Sequence, residues 1–183
     1  MDFRHVDHLP ITGWWRSVAR GSIVSVAAGT LVLAGCGPQV PSQAVTEQGV
    51  LCSNDFQACV MPVLSGRIRR QDGATVSCMD STCHLAGGNG GRFTLSATDA
   101  NADMQVVKTL ADLGNPHSSP VLMKPAEEVA HGGGRVLSGR GDACYLAIFN
   151  WISNQVDPVL GDTSPSCGLC TPVANTSTGC GFP

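Results

Sequence analysis

Two cysteines and a histidine stand close together in the segment Cys78-Met-Asp-Ser-Thr-Cys83-His84. Two thiols that close a short loop can add to the vinyl groups of a porphyrin, and a histidine directly after the second thiol can bind its iron from one face. The usual form of this motif is C-x-x-C-H, whereas four residues separate the cysteines here. A longer loop can bulge outward and keep both sulfurs in place. The segment therefore predicts covalent haem attachment at Cys78 and Cys83, with His84 as the proximal iron ligand; a disulfide and a surface histidine are the alternative.

A haem iron held by His84 would need a sixth ligand from elsewhere in the chain. Residues 36–183 contain two other histidines, His117 and His131. His131 precedes three glycines, whose lack of side chains lets the backbone approach a flat ligand closely. Met123 lies in a segment bracketed by prolines and is the rival, because methionine is the other common axial ligand and raises the reduction potential. The residue types alone leave the sixth ligand open.

The N-terminal 35 residues have the pattern of an export signal. Basic residues precede an apolar run from Ile23 to Leu33, which is too short to span a bilayer. The run ends in Leu33-Ala-Gly-Cys36, which resembles a bacterial lipobox. We therefore expect residues 1–35 to be a lipoprotein signal peptide, Cys36 to be lipidated, and residues 36–49 to form a tether. An ordinary signal peptide or an uncleaved anchor is the alternative.

Export places the nine cysteines in an oxidising compartment. If lipid takes Cys36 and haem takes Cys78 and Cys83, an even number remains. The remaining cysteines are Cys52, Cys59, Cys144, Cys167, Cys170 and Cys180. Six cysteines form three disulfides in one of fifteen connectivities. We expect Cys144 to pair with Cys52 or Cys59, and the C-x-x-C at 167–170 to be structural rather than catalytic, with Cys180 as a possible partner.

Composition sets limits on partners and on the core. The net charge is −3, and without residues 1–35 it is −4, from 8 basic and 12 acidic residues. The chain therefore lacks the basic field that nucleic acid requires. Aromatic residues make up only 5% of the chain, so a cofactor or cross-links would help a modest core. Arg67, Arg69 and Arg70 form a short basic run that is either solvated or paired with haem propionates.

Apolar periodicity predicts three helices separated by loops rich in glycine and proline. The first begins near Ser53-Asn54-Asp55 and reaches Leu64, the second covers 103–113 with Asp103 as a cap, and the third covers 142–153 with Asp142 as a cap. We expect a mainly α domain over residues 50–155, followed by a Cys/Pro-rich tail at 156–183.

The ordered segments from Phe56 to Ile152 resemble small c-type cytochrome domains found in lipoproteins and larger proteins of planctomycetes and myxobacteria. The matching pieces are Phe56…Val60-x-Pro62-x-Leu64, Cys78…Cys83-His84, Gly90-Gly91-x-Phe93-x-Leu95, Asn115-Pro116-x-Ser118-x-Pro120-Val-Leu-x-Lys124-Pro125, His131-Gly-Gly-Gly134 and Asp142-x-x-Tyr145…Trp151-Ile152. The longer haem loop, the insertion Arg67–Val76 and the cysteine-rich tail depart from the family pattern. The resemblance implies a cytochrome c-like fold, electron transfer, and His131 rather than Met123 as the distal ligand, because the family has a histidine before its glycines at this point.

These observations support two hypotheses of different classes. The first is a lipid-anchored monohaem c-type cytochrome that carries single electrons at the bacterial cell envelope, on the periplasmic or outer surface. It would be an electron carrier rather than an enzyme, with haem c and its iron as cofactor and redox proteins as partners. The alternative is a haem-free envelope lipoprotein that disulfides staple together for a binding or structural role.

Overall fold

The computed structural model describes residues 49–183. The helices are α1 (Ser53–Asp55), α2 (Met61–Ser65), α3 (Ala100–Lys108), α4 (Pro120–Met123), α5 (Ala143–Ser153) and α6 (Thr176–Gly179), with a π-helical turn at Phe56–Val60 and 3₁₀ turns at Pro116–Ser118 and Gly161–Thr163. Strands β1 (Ile68–Arg69) and β2 (Thr75–Val76) form an antiparallel hairpin, with Ile68 opposite Val76. The predicted signal peptide and the lipidation site Cys36 lie outside the described residues. No helix within 49–183 has the length and apolar character that a membrane span requires.

Helix α5 is the centre of the core. Asp142 caps it by accepting a hydrogen bond from the backbone of Cys144 at 2.9 Å, which confirms the predicted cap. Trp151 packs on Phe56 with ring centroids 5.2 Å apart, and its indole donates to the carbonyl of Cys52 at 2.9 Å. The third predicted helix therefore holds the first helical segment in place through one aromatic pair and one buried hydrogen bond.

The first helical segment is less regular than the apolar pattern predicts. Its N-cap is Cys52, whose sulfur accepts from the backbone of Asp55 at 3.2 Å, so the predicted caps Ser53-Asn54-Asp55 are wrong by at least one residue. The middle of the segment is the π-helical turn. Pro62 has no N–H for the carbonyl of Ala58, four residues before it, which interrupts the α-helical ladder at this point.

The second predicted helix begins earlier and ends earlier than expected. Asp99 caps α3 by accepting from the backbone of Asn101 and Ala102, both at 3.0 Å. The predicted cap Asp103 is instead buried inside the helix, where it accepts from the backbone of Ser96 at 2.5 Å. The prediction was wrong because two aspartates lie within one turn, and the second one binds the backbone of Ser96 and Ala97 before α3.

Three disulfides tie the C-terminal segment to the core: Cys52–Cys167, Cys59–Cys170 and Cys144–Cys180. The six remaining cysteines therefore form three pairs, as their number predicted. The expected partners of Cys144 were wrong. Cys144 is bonded to Cys180, and Cys52 and Cys59 are bonded to Cys167 and Cys170. The tail belongs to the same compact unit as the helices, and its first residues pair Val156 with Val50.

Candidate functional site

Cys78 and Cys83 are the two free thiols of the described residues, and both are half-buried. Backbone hydrogen bonds close the loop between them: His84 N–H donates to the carbonyl of Cys78 at 3.1 Å, and Cys83 N–H donates to that of Asp80 at 2.8 Å. The backbone of Cys78 and that of His84 are thus in direct contact in spite of the length of the loop.

Asp80 orders this longer loop, and the sequence reasoning missed it. One carboxylate oxygen accepts from the backbone of Ser77 at 2.8 Å, and the other accepts from the guanidinium of Arg67 at 2.7 Å. Asp80 lies between the two cysteines, so its bonds fix the position of the loop relative to the β1–β2 hairpin. An aspartate three residues after a serine is a turn signal that could have revealed this role.

His84 is oriented by a carbonyl that follows the glycine-rich loop. Its Nδ1 lies 3.0 Å from the carbonyl oxygen of Phe93, and the two rings meet edge to face with centroids 4.7 Å apart. A carbonyl can only accept, so Nδ1 carries the proton and Nε2 keeps its lone pair. Burial lowers the pKa of His84, and positive charge on His131 and Lys124 lowers it further, against the bond to Phe93. These effects favour the neutral imidazole that binds metals.

Two glycines allow this close approach. A Cβ on Gly90 would collide with Nδ1 of His84, and a Cβ on Gly88 would lie 2.5 Å from the carbonyl oxygen of Cys83. The glycine-rich segment can therefore pass close to the His84 ring and to the carbonyl of Cys83 only because these two positions have no side chain.

His131 lies opposite His84. Their ring centroids are 6.1 Å apart, and the ring planes differ by only 7°. Nδ1 of His131 bonds to the carbonyl of Gly134 at 2.9 Å, which repeats the arrangement at His84. Neither Nε2 atom has a hydrogen-bond partner within residues 49–183. The fold thus brings together two equivalent imidazoles, each with one nitrogen free, from positions 47 residues apart in the sequence.

The other candidate axial ligands occupy different places. His117 packs against Phe149 of α5 with ring centroids 4.2 Å apart, and its Nδ1 is 2.9 Å from the hydroxyl of Tyr145. These contacts make it part of the helix packing. Met123 ends α4, whereas the sequence predicted a loop there. It stays the alternative distal ligand, but His131 is the residue that stacks parallel to His84.

The chemistry of Cys78 argues against a catalytic thiol pair. Burial, together with repulsion from a Cys83 thiolate, raises the pKa of the Cys78 thiol to about 11. Thiol–disulfide exchange requires a thiolate, which is scarce at neutral pH when the pKa is so high. Cys78 is therefore unsuited to be the low-pKa nucleophile of a thioredoxin-like site.

A single metal ion also fits the four residues poorly. Tetrahedral coordination of zinc places its ligand atoms within about 4 Å of one another. Within residues 49–183, no three ligand atoms from Cys78, Cys83, His84 and His131 lie within 4.8 Å of one another. The groups that do are Cys52/Asp55/Cys167 and Asp142/Cys144/Cys180, and a disulfide occupies both cysteines of each.

Comparison with models of known protein families, with curated proteins and with solved structures finds no match to this chain. The resemblance to small c-type cytochrome domains therefore stays a prediction. The functional proposal depends on the arrangement of Cys78, Cys83, His84 and His131.

Proposed function

We propose that this protein is a lipid-anchored, monohaem c-type cytochrome that carries single electrons at the bacterial cell envelope. Cys78 and Cys83 would hold the haem covalently, and His84 and His131 would bind its iron from opposite faces. The observation that carries the proposal is the nearly parallel pair of imidazoles, 6.1 Å apart, each with Nδ1 bonded to a backbone carbonyl.

The spacing of the two rings supports one metal between them. Metal–imidazole bonds are about 2 Å long, so the centroids of two imidazoles on opposite sides of one ion lie about 6 Å apart. A hydrogen bond from the second ring nitrogen to a carbonyl is the usual support of a metal-binding histidine, because it fixes the tautomer and the ring orientation. His84 and His131 both have this support before any metal binds.

When bound, the haem would supply the one-electron chemistry of its iron. The chain's own residues would set the properties of that iron. Two histidines leave no open coordination position, which favours electron transfer over catalysis, and they give a lower reduction potential than a histidine–methionine pair. Partial burial of both rings limits the access of water to the site.

The cellular placement is supported by the leader pattern and by the cysteines. Disulfides persist outside the cytoplasm, and three bonds link cysteines that lie 115, 111 and 36 residues apart. The lipobox at Leu33-Ala-Gly-Cys36 supports anchoring by lipid. Redox proteins of the envelope would then be the partners.

The second candidate, a haem-free envelope lipoprotein, is favoured by one observation. The three disulfides join the helical segment Ser53–Ser65, α5 and the tail without using Cys78 or Cys83, so the core can be covalently fixed in the absence of haem. In this case Cys78, Cys83 and the two histidines would be surface features of a binding domain.

Expression with a c-type maturation system separates the two candidates. We expect a Soret band, and a haem stain that stays with the protein in denaturing electrophoresis. The matched control is Cys78→Ser/Cys83→Ser, which leaves all three disulfides intact and should remove the covalent stain. A folded, disulfide-bonded wild-type protein without covalent haem would contradict the proposal and favour the second candidate.

A further inference from the structure

The β1–β2 hairpin contacts the loop that carries His131. The Nη1 group of Arg70 donates to the carbonyl of Gly133 at 2.8 Å, and the backbone N–H of Gln71 donates to the carbonyl of Arg135 at 3.3 Å. The hairpin lies within the insertion Arg67–Val76, which departs from the resembled family pattern. The insertion is therefore in direct contact with the proposed distal-ligand loop.

The loop itself has few side chains with which to fix its conformation. Three successive glycines follow His131, and Gly134 has a φ of +69°, a conformation that favours glycine. A Cβ on Gly132 would meet no atom within 4 Å. Since glycine has the greatest backbone freedom, this loop needs contacts from other segments to hold the carbonyl of Gly134 against His131.

Arg70 is itself held in place by Asp72. Its Nε donates to one carboxylate oxygen of Asp72 at 3.1 Å, and its Nη2 pairs with the other. The backbone N–H of Ala74 also donates to Asp72, at 3.0 Å. The hydrogen bond from Arg70 and then that from Ala74 lower the pKa of Asp72 to about 2. The carboxylate stays ionised at neutral pH, so the guanidinium remains directed towards Gly133.

The C-terminal residues support the hairpin from its other side. Phe182 N–H donates to the carbonyl of Arg69 at 2.9 Å, and the guanidinium of Arg135 lies over the Phe182 ring at 5.5 Å from its centroid. The Cys144–Cys180 disulfide fixes this C-terminal segment to α5. The hairpin, the tail and the residue after the glycines thus form one connected support.

We propose that Arg70 is a positioning residue for the distal ligand. By holding the Gly133 carbonyl, it fixes the turn through Gly134, and the Gly134 carbonyl in turn orients His131 towards His84. This inference rests on the proposed function, because it assigns to Arg70 the task of keeping the sixth iron ligand in place. A bond from a charged donor is among the stronger hydrogen bonds of proteins, so its loss should raise the open fraction of the loop about tenfold.

The test compares Arg70→Gln with Arg69→Gln. Arg69 is on the same hairpin and is exposed, and within residues 49–183 its side chain has no hydrogen bond or ion pair. Both variants lose one charge, but only Arg70→Gln loses the contact with Gly133. We expect Arg70→Gln to bind carbon monoxide about tenfold faster in the ferrous haem protein, because His131 must leave before the gas can bind. Arg69→Gln should behave as the wild type, and Arg70→Lys should recover part of the difference.

Amide hydrogen exchange of residues 131–135 in the haem-free chain separates this inference from the proposed function. We expect about tenfold faster exchange there in Arg70→Gln than in Arg69→Gln. Equal exchange and equal carbon monoxide binding in the two variants would overturn the inference. If the wild-type chain takes up no haem but exchange is still faster in Arg70→Gln, the proposed function is contradicted. The support of the His131 loop by Arg70 is then still established. If Arg70→Gln does not fold, the same two measurements compare Asp72→Asn with Arg69→Gln.

Discussion

The helical core and the two histidine loops are held together by different means. The core has α5 with its buried Trp151 and Tyr145, and three disulfides that cross-link it. The loops around His84 and His131 consist of turns and glycines, and backbone hydrogen bonds give them their shape. The difference indicates that the core provides most of the stability of the domain, whereas the loops determine the positions of the two imidazoles that our proposal assigns to the haem iron.

This comparison predicts that stability and site formation respond to different substitutions. Changes in the core should alter the free energy of unfolding of the haem-free chain. Changes in the loops should have smaller effects on that free energy and larger effects on the spectra of the haem protein.

Removal of the Cys52–Cys167 disulfide should have the largest effect on stability. This bond joins residues 115 positions apart, but Cys59–Cys170 still ties the same two parts of the chain together, seven residues from Cys52 and three from Cys167. Replacing both cysteines by serine therefore frees a loop of about 10 residues in the unfolded chain and should lower the free energy of unfolding by about 3 kcal/mol. Urea denaturation of the haem-free protein measures the change. The wild type in reductant is the control and should lose at least as much, since all three bonds then open. An unchanged denaturation midpoint would show that the disulfide does not stabilise the core.

Gly90→Ala should lower the free energy of unfolding by about 2 kcal/mol, because the new methyl group would collide with His84 Nδ1 and force the loop to shift. The same shift should displace His84 and reduce the low-spin fraction of the haem protein. Gly132→Ala is the control, since its methyl group meets open space and should change neither property. A normal low-spin spectrum in Gly90→Ala would argue against the proximal role of His84.

Asp80→Asn should lower the free energy of unfolding by about 1 kcal/mol, because the hydrogen bonds from Ser77 and Arg67 weaken when the acceptor loses its charge. The attachment loop would then be less ordered, and we expect less covalent haem per folded protein at a fixed level of the maturation system. Haem stain relative to total protein measures this yield. Asp112→Asn, at an exposed turn distant from residues 78–83 in the sequence, is the control. Equal yields of covalent haem in the two variants would show that Asp80 does not contribute to haem attachment.

His131→Ala should have the smallest effect on stability, about 0.5 kcal/mol, because the half-exposed ring makes a single hydrogen bond. Its effect on the site should be the largest of the four. Loss of the sixth ligand should convert the ferric haem from low spin to high spin and should let the ferrous haem bind carbon monoxide readily. Met123→Leu is the matched comparison and should leave the spectrum unchanged. The reverse pattern would assign the sixth position to Met123.

Local features were readable from the sequence, whereas long-range pairings were not. Asp142 before an apolar helix predicted its cap, because that signal lies within one turn. Asp99 and Asp103 both precede apolar residues of α3, and only tertiary packing shows which one caps. The cysteine count predicted three bonds, but the partner of Cys144 depends on how the tail folds back.

The candidate site shows the same limit. The spacing of Cys78, Cys83 and His84 was visible directly. That His131 is the distal ligand stays a prediction from the resemblance, and the structure places its ring centroid 6.1 Å from that of His84. Asp80 and Arg70 were not identified as site residues, because their contacts with Ser77 and Gly133 arise only when the β1–β2 hairpin forms.

The most direct test of a haem held between His84 and His131 is the electron paramagnetic resonance spectrum of the ferric protein, recorded together with its near-infrared absorption. Nearly parallel imidazole planes separate the two iron orbitals of π symmetry. We therefore predict a rhombic low-spin signal with three resolved g values and no band near ~695 nm, since that band requires iron–sulfur ligation. A band near ~695 nm, a high-spin signal, or a purified protein without iron would contradict the account.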